Sequence, residues 1–97
     1  MTKLSNRLTI LFEEYPGDDA WVHFVSCFPE IDTKLLDQIP IETDFVRALY
    51  WKKGDNLDRV KHWLVKPVPA LDGKTPLEIL KLEEGKTILR TAIMRMP

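Results

Sequence analysis

The apolar residues of this 97-residue chain recur at helical spacing, but only over short stretches that proline or glycine interrupts. Leu4, Leu8 and Leu11, for example, lie three or four residues apart, which places them on one face of a helix. Pro16 and Gly17 then end that stretch. No segment has the two-residue alternation of a strand. The pattern predicts an all-α fold, a small single-domain bundle of about six or seven short helices.

Short polar side chains mark where most of these helices should begin. Such side chains are common at helix N-caps, where an oxygen accepts an amide hydrogen of the first turn. After the first helix, over residues 4–15, the expected starts are Asp18 or Asp19, Asp32, Thr43, and Asp55 or Asn56. We expect Pro29, Pro40 and Gly54 to end the second, third and fourth helices.

The segment after the fifth helix departs from the helical pattern and ends in a strong local motif. Pro67 and Pro69 predict an extended chain, and Asp72 with Gly73 predicts a turn. The following sequence, Thr-Pro-Leu-Glu from position 75, is typical of a capping box with proline at the first helical position. A short helix should start there, and a last one should run from about residue 83.

Composition excludes several classes of protein. The chain is 44% apolar and 30% charged with a net charge of −1, which is typical of a folded globular protein. No apolar run reaches the roughly 18 to 20 residues that span a bilayer, so we expect no membrane segment. Cys27 is the single cysteine, which excludes an intrachain disulfide and fits a cytoplasmic protein.

The charges are unevenly distributed along the chain. Residues 1–49 contain four basic and nine acidic residues, whereas residues 50–97 contain ten basic and six acidic residues. An acidic first half is a poor surface for a phosphate backbone, so DNA binding is disfavoured. The basic second half suits an acidic partner surface.

The second predicted helix contains an acid, a base and a thiol at regular spacing, which could in principle form a catalytic or metal site. Asp19, His23 and Cys27 are spaced by four residues, so they share one face of the second helix. That face lies opposite the apolar stripe and should meet solvent, and no second pair of metal ligands accompanies it. The sequence therefore predicts no catalytic residue, no metal site and no cofactor.

The stretch from Val60 to Leu80 and the residues that follow are similar to the toxin-binding domain of the MbcA/ParS/Xre antitoxins. The shared features are a tryptophan–leucine pair, a proline-bounded segment, a leucine-x-glycine turn, a threonine-proline-leucine helix start, a glycine and a late arginine. In this chain they are Trp63 with Leu64, Pro67 with Pro69, Leu71 with Gly73, Thr75 to Leu77, Gly85 and Arg95. The resemblance covers residues 45–97 and leaves residues 1–44 as a helical region in the position of a reduced or repurposed helix-turn-helix.

The resemblance implies an antitoxin or immunity-type protein that binds and neutralises a RES-domain toxin. Such toxins consume NAD, and the antitoxin covers the active site in part with its C-terminal segment. The toxin-binding residues implied are Arg90, Ile93, Met94, Arg95, Met96 and Pro97. The framework residues implied are Trp63, Leu71, Gly73, Thr75, Pro76 and Leu80.

Two further points stay open at the level of sequence. A homodimer and a hetero-oligomer with the toxin are both compatible with the pattern. The alternative function is a small DNA-binding transcriptional regulator, in which the segment from Asp32 to Tyr50 would form a reduced helix-turn-helix.

Overall fold

A computed structural model describes residues 4–96 and confirms the all-α prediction. The described residues form seven α-helices and one 3-10 turn, with no strand. The helices are α1 (Asn6–Glu13), α2 (Asp18–Ser26), α3 (Thr33–Leu36), α4 (Thr43–Lys52), α5 (Leu57–Leu64), α6 (Pro76–Leu80) and α7 (Gly85–Met94), and the 3-10 turn (Pro69–Leu71) lies between α5 and α6.

Side-chain caps fix several of the predicted helix starts. Asp32 caps α3 by accepting the amide of Lys34, and Asn56 caps α5 by accepting the amide of Arg59. The start of α4 at Thr43 is also confirmed, although no side chain caps that helix. Local side-chain hydrogen bonds therefore account for the starts of α3 and α5.

The predicted cap of α2 is wrong. Gly17 is the N-cap, with a φ of 106°, and Asp18 and Asp19 lie inside the first turn. The carboxylate of Asp18 instead accepts a hydrogen bond from the hydroxyl of Tyr15 at 2.8 Å. Both aspartates still lie at the positive end of the helix, where negative charge is favourable.

The segment between α5 and α6 is only partly extended. Val68, which precedes a proline, is extended as expected, but Pro69 begins a 3-10 turn. Proline suits this first helical position because its fixed φ is helical and its missing amide has no partner there. The predicted turn is confirmed, since Asp72 and Gly73 have φ values of 61° and 79°. The capping box at Thr75 and Glu78 is confirmed as well.

A single hydrophobic core joins the two halves of the chain. Helix α4 lies at its centre and packs on α2, α3, α5 and α7, while α1 packs on α7 and on the 3-10 turn. Residues 1–44 and 45–97 therefore contribute to the same core. Its largest fully buried side chains include Leu8, Trp21, Phe45, Leu49, Leu71, Ile79, Ile88, Leu89 and Ile93. Phe12 of α1 is a large apolar side chain that remains exposed.

Gly85 allows α7 to begin directly against the end of α6. A Cβ atom at this position would lie 1.9 Å from the carbonyl oxygen of Ile79 and 3.1 Å from the Cα of Leu80. Both obstacles are backbone atoms, so a side-chain rotation cannot relieve the clash. Glycine at this position sets the angle and depth at which α7 enters the core.

In the part of the chain that the structure describes, every helix is too short or too polar to cross a bilayer.

Candidate functional site

The C-terminal end of α7 is held against the first and fourth helices. Arg95, which is half exposed, forms an ion pair with Glu14, just after α1, at an Nη2–Oε1 distance of 3.1 Å. The backbone carbonyl of Met96 accepts a hydrogen bond from Nζ of Lys52 at 2.7 Å. These contacts hold the exposed Arg95 and the partly buried Met96 in fixed positions.

An open, mainly apolar groove of about 450 Å³ lies beside this end of α7. Its walls come from α1, from the 3-10 turn and its preceding residue, and from α7. Ile10 of α1 is 50% exposed and forms part of the lining, although it is a large apolar side chain. The remaining apolar lining consists of Leu11, Trp63, Val68, Ala70, Ala92 and Met96.

Three cationic side chains, Arg7, Lys53 and Arg95, also line the groove, and no carboxylate among the described residues does so. Nη1 of Arg7 donates a hydrogen bond to the carbonyl oxygen of Pro69 at 2.6 Å, which fixes the guanidinium beside the groove. Nζ of Lys53 lies 5.3 Å from the ring centroid of Trp63. Burial lowers the pKa of Lys53, and the positive charge of Lys66 lowers it further. The groove therefore combines an apolar surface with positive charge.

Arg90 lies within the fold rather than at the surface. Its guanidinium lies 3.5 to 3.9 Å from the carboxylates of Asp18, Glu42 and Asp44, and it stacks 5.7 Å from the ring centroid of Trp21. Only 19% of its side chain is exposed. The prediction of Arg90 as a basic contact residue does not fit this arrangement, because its charge is already neutralised by residues from α2 and from the start of α4.

The other predicted contact residues of α7 differ in how accessible they are. Ile93 has no exposed surface and is a core residue, so its side chain is not accessible to a partner in this arrangement. Met94 and Met96 are both partly buried and pack against the core, and Met96 also lines the groove. Pro97 lies outside the described residues. Arg95 is therefore the exposed residue of the predicted set within the described residues, and the partly buried Met96 next to it faces the groove.

Comparison with known proteins assigns the family. Residues 46–96 match the model of the C-terminal toxin-binding domain of the Xre/MbcA/ParS antitoxins. The chain belongs to this antitoxin family. The match begins inside α4 and ends beside the groove, so it contains most of the groove lining but not α1. No curated protein and no solved structure matches the antitoxin chain.

The framework residues of the antitoxin domain lie where they stabilise the path of the chain. Leu71 is fully buried, and Trp63 is 8% exposed at the base of the groove. Pro76 is buried at the first position of α6, and Leu80 packs against the core from a partly buried position. Together with the Gly73 turn and the Thr75 cap, they position the 3-10 turn that forms one wall of the groove.

The line of Asp19, His23 and Cys27 is on the solvent-exposed face of α2, as predicted. No group of three or more potential metal ligands occurs within residues 4–96.

In this antitoxin, the segment proposed as a reduced helix-turn-helix has a second helix that packs against four other helices. Its second helix would be α4, in which Phe45, Val46, Ala48 and Leu49 are buried. A helix that reads DNA must present a face to the major groove. The structure therefore gives no support to the regulator alternative at this segment.

Sequence reasoning missed the contributions of Arg7, Ile10 and Lys53 to the groove. The one available signal was Ile10, an apolar residue beside but not on the Leu4–Leu8–Leu11 stripe. A single apolar residue off the buried stripe is common on protein surfaces, so this signal was weak. The positions of the two cations depend on tertiary packing and left no local pattern.

Proposed function

We propose that this chain binds and neutralises a RES-domain toxin that consumes NAD, and that the end of α7 covers the entrance to the toxin's active site. The supporting observation is that the matched toxin-binding domain ends at an accessible, cationic and apolar surface formed around Arg95 and Met96. The protein acts without catalysis of its own, in the cytoplasm. An antitoxin and an immunity-type protein would use the same surface.

Arg95 is the charged residue best placed to contact the toxin. Its pair with Glu14 is half exposed on both sides, and ion pairs of this kind contribute little stability, about 0–1 kcal/mol. A carboxylate of the toxin can therefore replace Glu14 with little loss. The planar guanidinium favours this exchange, because it can bind a carboxylate through two parallel hydrogen bonds.

Met96 supplies an adaptable apolar contact next to that charge. A thioether side chain is flexible and polarizable, so it can pack against surfaces of irregular shape. The hydrogen bond from Lys52 to the carbonyl of Met96 holds the backbone in place while the side chain adjusts. Arg90 and Ile93 contribute indirectly, because they keep α7 in the core.

The proposal is tested by co-expressing the chain with the RES-domain protein encoded nearest to its gene and measuring cellular NAD. We expect wild type to preserve NAD and Arg95→Glu to lose this protection. Hot-spot residues cost about 2 kcal/mol or more, which is roughly a 30-fold loss of affinity. Lys81→Glu is the matched control, since Lys81 is exposed and lies outside the groove.

A charge swap separates binding from folding. Arg95→Glu combined with Glu14→Arg restores the internal ion pair but leaves an acidic residue at position 95. If the double variant folds and remains unable to protect, position 95 is needed for contact with the toxin. Full protection by a folded Arg95→Glu variant would exclude the end of α7 from neutralisation. A wild-type chain that does not bind the toxin would contradict the proposed function itself.

A further inference from the structure

We propose that the groove between α1 and α7 accepts an amphipathic segment of the partner, in which one large apolar side chain is flanked by carboxylates. Arg7 and Ile10, which precede the matched family domain, would then be part of the binding site. The identity of the partner as the toxin rests on the proposed function. The chemistry of the segment rests on the groove itself.

The apolar part of the inference follows from the exposure of Ile10. This side chain lines an accessible groove with Trp63 and Met96, and half of its surface is in contact with solvent. Removing such surface from water is the main favourable contribution to most protein association. A volume of about 450 Å³ lies within the range of about 300–1,000 Å³ found for ligand sites. A large apolar side chain is the complementary occupant.

The carboxylate part of the inference follows from the local charge. Arg7, Lys53 and Arg95 line the groove without any acidic lining residue in the described part of the chain. The chain as a whole has a net charge of −1, so general attraction for anions does not explain such a site. Burial, followed by the positive charge of Lys66, lowers the pKa of Lys53. A partner carboxylate would supply negative charge that the groove lining lacks.

The cations can bind a partner without disrupting the fold. Nη1 of Arg7 bonds to the carbonyl of Pro69, and a guanidinium has five donors, so further donors remain for a ligand. Arg95 needs only to exchange Glu14 for a partner carboxylate. A segment lying along the groove would thus contact α1 at one side and the end of α7 at the other.

The first arm of the test measures the affinity of the full chain for the RES-domain protein named above. We expect Ile10→Asp and Arg7→Glu each to weaken binding at least tenfold. The matched controls are Val22→Asp, which alters an exposed apolar residue of α2, and Lys34→Glu, which alters an exposed lysine of α3. Controls within twofold of wild type support the inference, whereas unchanged binding by both groove variants overturns it and leaves the proposed function intact.

The second arm does not need the toxin. Anilinonaphthalene sulfonate combines an aromatic body with an anionic group, and we expect it to bind the wild-type groove and shift the NMR signals of the Met96 methyl and Trp63 indole groups. Ile10→Asp should abolish those shifts and Val22→Asp should keep them, with near-UV circular dichroism showing that both variants are folded. Shifts confined to another surface would overturn the inference.

The two arms distinguish the possible failures. A wild-type chain that binds the dye in the groove but does not bind the toxin contradicts the proposed function and supports the chemistry of the groove. A second copy of this chain is the competing occupant, and sedimentation detects it. A wild-type dimer that dissociates in Ile10→Asp, with toxin affinity unchanged, would assign the groove to self-association and overturn the inference.

Discussion

Gly73 and Gly85 are required for different physical reasons. Gly73 has a φ of 79°, and a Cβ added there would meet no atom within 4 Å, so its requirement is conformational. Gly85 has no such φ, but a Cβ would lie 1.9 Å from the carbonyl oxygen of Ile79, so its requirement is steric. The sequence indicated the turn at Gly73, whereas nothing local to Gly85 reveals how close α6 lies.

The two glycines should therefore respond differently to alanine. Gly73→Ala should lower the free energy of unfolding by about 1–2 kcal/mol, the cost of a left-handed conformation. Alanine in a helix is favoured over glycine by about 1 kcal/mol. At Gly85 we nevertheless expect a net loss of about 1–3 kcal/mol or more, because the clash is with backbone. Urea unfolding measures both. A Gly85→Ala variant as stable as wild type would show that α7 can shift away from α6 at no cost.

Tyr15 should make stability fall at high pH. Burial, followed by the hydrogen bond to Asp18, raises the pKa of Tyr15 above its ordinary value of 10.0. Above about pH 10 the unfolded chain loses this proton first, so the folded state holds more protons and the free energy of unfolding decreases as pH rises. Below pH 10 the contribution is fully present.

Tyr15→Phe removes this titration, so stability should fall less steeply in the variant than in wild type between pH 9 and 11. The measurement is the urea midpoint at each pH. Parallel curves for the two proteins would contradict the raised pKa.

Arg90 shows why single residues of α7 could not be assigned from sequence. Its three acidic neighbours come from α2 and from the start of α4, more than 40 residues earlier in the chain. Spacing along α7 contains no information about them. Arg95, which the resemblance implied as a toxin-binding residue, is half exposed, because a residue just after the last described helix has fewer elements that can cover it.

At the scale of the helices, the residues at which helices begin could be predicted from the sequence better than the surfaces that the helices form together. Asp32, Asn56 and Thr75 cap their helices through contacts two or three residues away, so the local sequence contains the whole motif. The groove is assembled from α1, the 3-10 turn and α7, which are separated by more than 50 residues at its widest. Its existence depends on packing, and of its lining residues the resemblance implied only Arg95 and Met96 as toxin-binding.

The capping box of α6 gives an element-scale prediction. Thr75→Ala removes the hydroxyl that accepts the amide of Glu78 at 3.1 Å and should cost about 0.5–2 kcal/mol. Glu84→Ala is the matched control, since Glu84 is the N-cap of α7 but its side chain makes no capping hydrogen bond. We expect the control to lie within about 0.5 kcal/mol of wild type, as surface substitutions usually do. Thermal unfolding of both variants decides, and equal midpoints would argue against a stabilising cap.

At the scale of the whole molecule, the uneven distribution of charge allows ion pairs to form between the two halves of the chain. Every ion pair among the described residues joins a carboxylate of the acidic first half to a base of the second half. Lys86 pairs with Glu42, for example, and Arg95 with Glu14. The sequence suggested that the basic half faces a partner, but α7 uses much of that charge internally. Among the described residues, the bases of the second half that form no ion pair include Lys53 of the groove, Lys61 and Lys66 near α5, and the exposed Lys74 and Lys81.

The same connections predict that residues 45–97 do not fold alone, although residues 46–96 match a family domain. The first 44 residues place Leu8, Leu11, Trp21 and Val25 in the shared core. Burying each such side chain contributes about 1.5–3 kcal/mol, and the sum is comparable with a whole domain's stability of about 5–15 kcal/mol.

A fragment of residues 45–97 should therefore show reduced helicity and no cooperative thermal transition by circular dichroism. Adding residues 1–44 as a separate peptide should restore both the helicity and the transition. The intact chain measured under the same conditions is the control. A fragment that melts cooperatively at the midpoint of the intact chain would contradict this prediction. It would show that residues 45–97 form an independent domain, and that neither α1 nor α2 is needed for its fold.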